Sequence, residues 1–171
     1  MPKASLPANE RERLLALHGL SVLDTEAEIE FDAITETAKH CLNADVGVIS
    51  LIDANRQWFK SSCGLDTQET DRDSAFCAYS ILQTEPMVVL NAPRDARFAD
   101  NPLVTGDPYI RFYAGAPLIL PSGHAVGTLC ILDFEPRYRF GAGDLQSLKF
   151  FASVAVDRLM ARASKRKSKA A

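Results

Sequence analysis

The sequence predicts an α+β fold built on a mainly antiparallel sheet. Three observations lead there. Runs of β-forming residues come in pairs joined by short turns. Helical patterns stand before, between and after those pairs. The regular βαβα alternation that marks a parallel sheet is missing.

Taken in order, "NERERLLALHGL" places Leu14, Leu17 and Leu20 at helical spacing, with Asn9 as an N-cap and Gly19 near the end. A longer helix is predicted from about Thr25 to Leu42. Phe31, Ile34, Ala38 and Cys41 form its apolar stripe, and Asp24 or Thr25 caps it. Two β runs, Val46–Ile52 and Gln57–Cys63, flank the turn residues "DANR" and read as a hairpin. "RDSAFCAYSILQTEP" reads as a helix capped by Ser74 and stopped by Pro86, and "MVVL" as a short strand. From Asn91 to Pro108 runs a polar connection, far longer than the usual 4–6 or so residues, and long connections are often functional. Strands at about Arg111–Leu120 and Val126–Phe134 follow, joined across "PSGH". The last helix spans roughly Ala142 to Ala163. Its Leu145, Leu148, Ala152, Ala155 and Leu159 step by three and four, a seam that suits either its own sheet or a partner helix.

The 171 residues fit one domain, with 47% hydrophobic and 24% charged residues in the range of globular proteins. No apolar run approaches the ~20 residues of a membrane span, and the N-terminus has no secretory pattern. A cytoplasmic protein is expected, with no membrane partner. The net charge of −3 includes four positives in the final "ASKRKSKAA", so the rest of the chain is more acidic still. Phosphate backbones favour basic surfaces, which argues against a nucleic-acid partner. The tail is expected to be a solvated end or the start of a linker.

Catalytic signals are sparse. G-x-S-x-G, G-x-x-x-x-G-K, G-x-G-x-x-G and H-E-x-x-H patterns are all absent. The three histidines lie on two helices and in a turn, so no metal site is expected. Cys41, Cys63, Cys77 and Cys130 contain no C-x-x-C pair and are expected to be packed free thiols. A Cys77–His124 nucleophile pair has no local signal. Binding has more support. Phe76, Cys77 and Ser80, then Phe98, Asn101 and Pro102, then Phe112 and Tyr113, stand on segments that could close around one cavity. The same aromatics could equally fill a core beneath the long loop. Strand parity sends either Phe112 or Tyr113 inward, and the hydroxyl of Tyr113 suits a ligand better.

Six ordered blocks, "LDTEAEIEFDAIT", "VISLIDANRQWFKSSCGL", "RDSAFC", "RFADNPLV", "IRFYAGAPL" and "GTLCILDFEPR", resemble the GAF domain family. The likeness is to GAF modules at the N-terminal end of bacterial histidine kinases and diguanylate cyclases. It implies a tail at 1–8, a single domain at 9–162 and a basic tail or linker at 163–171. It also implies a GAF/PAS-like six-stranded antiparallel sheet, with the terminal helices on one face and a helix-plus-loop ligand pocket on the other. The pocket residues so implied are Phe76, Cys77, Ser80, Phe98, Asn101, Pro102, Tyr113 and Cys130. The implied role is a sensory module, not an enzyme, that binds a small ligand and signals through its terminal helices. A homodimer through those helices and an output domain or kinase are the implied partners. Cys77 is followed by Ala78 rather than the His usual at bilin attachment, so a covalent bilin is not expected. The alternatives are a cysteine-based redox enzyme like free methionine sulfoxide reductase, or a ligand-free dimerisation module.

Overall fold

The computed structural model describes residues 2–170. Its elements are α1 (Glu10–Gly19), α2 (Ile29–Cys41), β1 (Val46–Ile52), β2 (Arg56–Cys63), β3 (Glu69–Asp71), α3 (Phe76–Ser80), β4 (Met87–Val89), α4 (Pro102–Thr105), β5 (Phe112–Ile119), β6 (Ala125–Asp133) and α5 (Ala142–Ala170). The strands form one antiparallel six-stranded sheet in the order β3-β2-β1-β6-β5-β4. The α+β class and the six-stranded sheet are as expected.

Alternation along the strands divides the core into two layers. Ile49, Leu51, Phe112, Ala114, Leu129 and Ile131 pack with Leu17 of α1, Phe31 and Ile34 of α2, and Leu148, Ala155 and Leu159 of α5. The opposite parity, with Val46, Val48, Tyr113, Cys130 and Leu132, packs with Phe76 and Cys77 of α3 and with Phe98 and Val104 of the long connection. The seam of α5 therefore lies against its own sheet. Among the described residues, no helix is long and apolar enough to cross a membrane.

Several boundaries differ from expectation for physical reasons. The second helix starts at Ile29, not Thr25, and neither Asp24 nor Thr25 caps it. The buried Lys60 ammonium takes Glu26 O at 2.7 Å, Glu28 Oε1 at 2.7 Å and Thr25 Oγ1 at 3.1 Å, acceptors that hold residues 25–28 out of the helix. Asp24 adopts a left-handed backbone and pairs with Arg56 instead. The buried face of α2 runs through Phe31, Ile34, Thr35 and Ala38, which leaves Cys41 exposed. Cys63 is half-buried, so close packing holds only for Cys77 and Cys130.

Ser74 caps no helix. A single 3₁₀ turn covers Arg72–Ser74, Ala75 is extended at ψ 123°, and α3 is only five residues long. β3 was not anticipated, because its "ETD" holds no apolar residue and it pairs only at an edge. The long connection contains α4, whose Asn101 Oδ1 accepts the Leu103 N–H at 2.8 Å ahead of Pro102 at its first position. The last helix runs beyond Ala163 to Ala170. Ala171 and the side chains of Lys167 and Lys169, part of the expected basic tail, lie outside the described residues.

Candidate functional site

The pocket-side face of the sheet supplies a floor. Antiparallel register sets Val48 opposite Cys130 and Ser50 opposite Thr128, while Tyr113 of β5 stands opposite Leu132. Tyr113 therefore points to this layer, and Phe112 points to the helices, where the Arg137 guanidinium lies 4.4 Å from its ring centroid. Room for the tyrosine comes from Gly115, two residues along the same face. A Cβ at position 115 would lie 2.0 Å from Tyr113 Oη.

α3 and the loop before β5 form the roof. Between roof and floor lies an apolar cavity of about 60 Å³. Phe76, Cys77, Tyr113 and Cys130 line it, joined by Val48, Gln57, Phe59, Leu65, Thr67, Thr70, Leu103, Pro108, Ile110 and Leu132. Ser80, Phe98, Asn101 and Pro102 do not reach the cavity. They support its walls. Phe98 stacks on Phe76 with centroids 4.0 Å apart, and Phe76 in turn lies 5.2 Å from the Tyr113 ring. Buried Asn101 donates from Nδ2 to Ser74 O at 2.9 Å, tying α4 to the start of α3, and Pro102 is exposed. The β1 lining residue Val48 went unrecognised because a fully buried strand has no alternation to reveal its faces. Gln57 was legible as a polar residue opening a predicted strand, whereas Thr70 lies on the unanticipated β3. They bond each other at 2.9 Å, and Gln57 Oε1 accepts from Ser50 at 2.9 Å.

A buried polar cluster adjoins the cavity, with Cys77, Tyr113 and Cys130 in its wall and Ser80 and Thr128 behind them. Cys77 Sγ lies 3.7 Å from Cys130 Sγ and accepts hydrogen bonds from Thr128 Oγ1 at 3.0 Å and Tyr113 Oη at 3.4 Å. Ser80 Oγ is 2.7 Å from the same phenolic oxygen, so the serine donates while the tyrosine donates to sulfur. Burial pushes the Cys77 thiol up. The hydrogen bonds from Cys130, Thr128 and Tyr113, with Ser50 nearby, more than offset it and bring the thiol from 9.0 to about 7. Ser50 contributes least, since its hydroxyl hydrogen is committed to Gln57. Cys130 is pushed well up by its hydrogen bond to Cys77 and by burial. Tyr113 is pushed well up by burial and by the neighbouring sulfur charge.

The histidines stand apart from this cluster. His18 bonds Asp53, His40 bonds Glu36 O and His124 bonds Ser122. Among the described residues no group of three or more His, Cys, Asp or Glu could hold a metal. A second cleft, larger and polar at about 840 Å³, runs between residues 24–36 and β2 with its following loop. Its rim carries Asp24, Glu26, Asp32, Glu36 and Asp66, which disfavours anions, and the Lys60 beneath is already paired.

Residues 26–159 match the family model of the GAF domain, most of the chain. This protein belongs to the GAF domain family. A cyclic di-GMP phosphodiesterase of Pseudomonas aeruginosa is 40% identical over 153 residues, which cover 90% of this chain and 26% of that protein. The chain thus spans about a quarter of the length of this relative. Two solved structures share the fold. The GAF domain of an Acinetobacter phosphoenolpyruvate-protein phosphotransferase superposes with a TM-score of 0.65 at 16% identity, covering 92% of this chain and 96% of that one. Free methionine-R-sulfoxide reductase from Neisseria meningitidis, solved with its substrate, gives 0.63 at 16% identity, covering 92% and 90%.

Within this GAF domain, Gly115→Ala tests the placement of Tyr113. The added methyl must displace the phenol from Ser80 and Cys77, and overpacking of this kind costs about 1–3 kcal/mol. Urea denaturation should show that loss. Unchanged stability would mean that the ring does not lie over Gly115.

Proposed function

We propose that this GAF domain is a sensory module of a bacterial signalling protein, binding a small molecule in the cavity beneath α3 and passing the change to α1 and α5. One observation carries the proposal: a mostly apolar cavity, closed by a short helix and a loop, is lined by a few polar groups, Gln57, Thr67, Thr70 and Tyr113 with the Cys77 and Cys130 thiols. Its relative in P. aeruginosa is itself a signalling enzyme, which fits a regulatory role beside a catalytic output domain. A cavity of about 60 Å³ is well below the ~300 Å³ of drug-sized sites. The ligand is therefore a molecule of a few heavy atoms, unless α3 and the Leu103–Ile110 segment move outward. A cyclic nucleotide or tetrapyrrole would need that opening. The site is cytoplasmic in this reading, and the outward face of α5 with exposed Phe150 is available for a second copy or an output partner.

Native mass spectrometry of the purified protein, followed by thermal shift against small amino acids, nucleotides and anions, tests the proposal. A retained or stabilising small molecule whose effect is lost in Val48→Leu, which narrows the cavity, is the expected result. A side-chain-filled cavity with no stabilising compound would overturn it.

The close pair Cys77–Cys130 favours a second reading, a thiol enzyme. Consumption of free methionine sulfoxide in the presence of a reductant would support it. No turnover would end it, and the size of the cavity weighs against so large a substrate.

A further inference from the structure

We propose that Cys77 and Cys130 form a reactive dithiol, a modification site at which a small neutral hydroperoxide converts the pair to a disulfide. Position comes first. The two sulfurs are 3.7 Å apart on different elements, one on the roof and one on the floor, and both residues line the same cavity. A bonded pair needs about 2.05 Å, so a displacement of under ~2 Å between α3 and β6 closes the bond. Access comes second. The cavity holds a few water-sized molecules, and hydrogen peroxide is little larger than one. Its apolar lining disfavours charged oxidants, which would lose their hydration without a partner.

Reactivity comes third. The thiolate is the nucleophile. Thr128 and Tyr113 donate to the Cys77 sulfur, and these donors stabilise negative charge there. These donors hold the Cys77 thiol below its ordinary value in spite of burial, which enlarges its thiolate share at neutral pH. Cys130 keeps its proton and stands ready as the resolving thiol.

Two steps balance the chemistry. The Cys77 thiolate attacks one peroxide oxygen. An S–O bond forms, the O–O bond breaks, and the leaving hydroxide takes up a proton to give water, leaving a sulfenic acid. The Cys130 sulfur then attacks Cys77 Sγ. The S–S bond forms, the S–O bond breaks, and the departing hydroxide leaves as water with the Cys130 proton. Two sulfurs together lose two electrons, and the peroxide oxygens gain them. In the product Tyr113 and Thr128 lose their sulfur acceptor and α3 is drawn onto the sheet. Only this consequence for signalling rests on the sensory reading; the thiol chemistry does not.

The test uses the full chain carrying Cys41→Ser and Cys63→Ser, so that the exposed and half-buried thiols do not compete. Treatment with hydrogen peroxide should yield a Cys77–Cys130 cross-linked peptide on proteolytic mapping, reversed by dithiothreitol. Adding Cys130→Ser should arrest the reaction at a Cys77 sulfenic acid that dimedone captures. Thr128→Val should slow oxidation about tenfold, the effect of losing one hydrogen bond to a charged acceptor. Recovery of both Cys77 and Cys130 as free thiols, under conditions that oxidise Cys41 in the native chain, would overturn the proposal. Reduced protein that binds no small molecule yet forms the disulfide sinks the ligand reading alone. Protein that binds a ligand while both thiols stay reduced sinks this inference alone.

Discussion

Leu148→Asp is expected to unfold the domain. Leu148 is 0% exposed and lies in the layer between α5 and the sheet, beside Ala155 and Leu159. Removing such a leucine costs about 2–5 kcal/mol through lost transfer and the cavity left behind. The aspartate adds a charge inside an apolar layer. The combined loss rivals the ~5–15 kcal/mol that holds an ordinary domain together. Circular dichroism should show no cooperative melt, or a midpoint far below that of the parent. A folded variant with an unchanged midpoint would refute the packing of α5 on its own sheet. Phe150→Asp is the matching control, because that side chain is 61% exposed on the outward face. It should leave stability within about 0.5 kcal/mol, and it is the substitution with which to probe association through α5.

The seam shows what the sequence leaves open. Steps of three and four at Leu145–Leu159 identify an apolar stripe, but not which surface covers it. Strand elements with clear turns, such as the Val46–Cys63 hairpin, are legible within a residue. Their register is not, because every residue of β1 is buried and no alternation marks its faces. Val48 escaped notice for that reason, whereas Tyr113 and Cys130, on strands almost as fully buried, stood out by their hydroxyl and thiol. Helix starts were misplaced where a distant side chain intervenes, as Lys60 does at residues 25–28. The aromatic residues of the roof were legible as a group. Their order in depth, with Phe76 at the cavity and Phe98 behind it, depends on packing alone. The polar cluster at Cys77 joins positions far apart in the chain, and only the folded sheet brings them together.

Glu10→Gln should destabilise the protein by about 3 kcal/mol at neutral pH, with the effect fading in acid. The Glu10 carboxylate is only 16% exposed and sits between two guanidiniums. Arg13 holds it through Nε and a terminal nitrogen, both at 2.8 Å, and Arg72 reaches it at 2.6 Å. Arg13 is 1% exposed and also donates to Ile52 O, while Arg72 also donates to the carbonyls of Asp53 and Ala54. Burial pushes the Glu10 carboxyl up, but the hydrogen bonds and charges of the two arginines prevail and hold it at about 2, against 4.5 when free. A carboxyl depressed in the folded state stabilises above its unfolded value, and that stability is lost as pH falls from about 4.5 toward 2. The interval corresponds to about 3 kcal/mol, comparable to breaking a buried ion pair by removing one partner. Urea denaturation of parent and variant at matched pH isolates this group from the other carboxylates, because protonated Glu10 resembles glutamine. The gap should shrink steadily below about pH 4.5. A gap that stays constant with pH would show that packing, not charge, makes the difference. Arg72 opens the turn that leads through Ser74 into Phe76 and Cys77, so the same ion triad fastens α1 to the cavity roof.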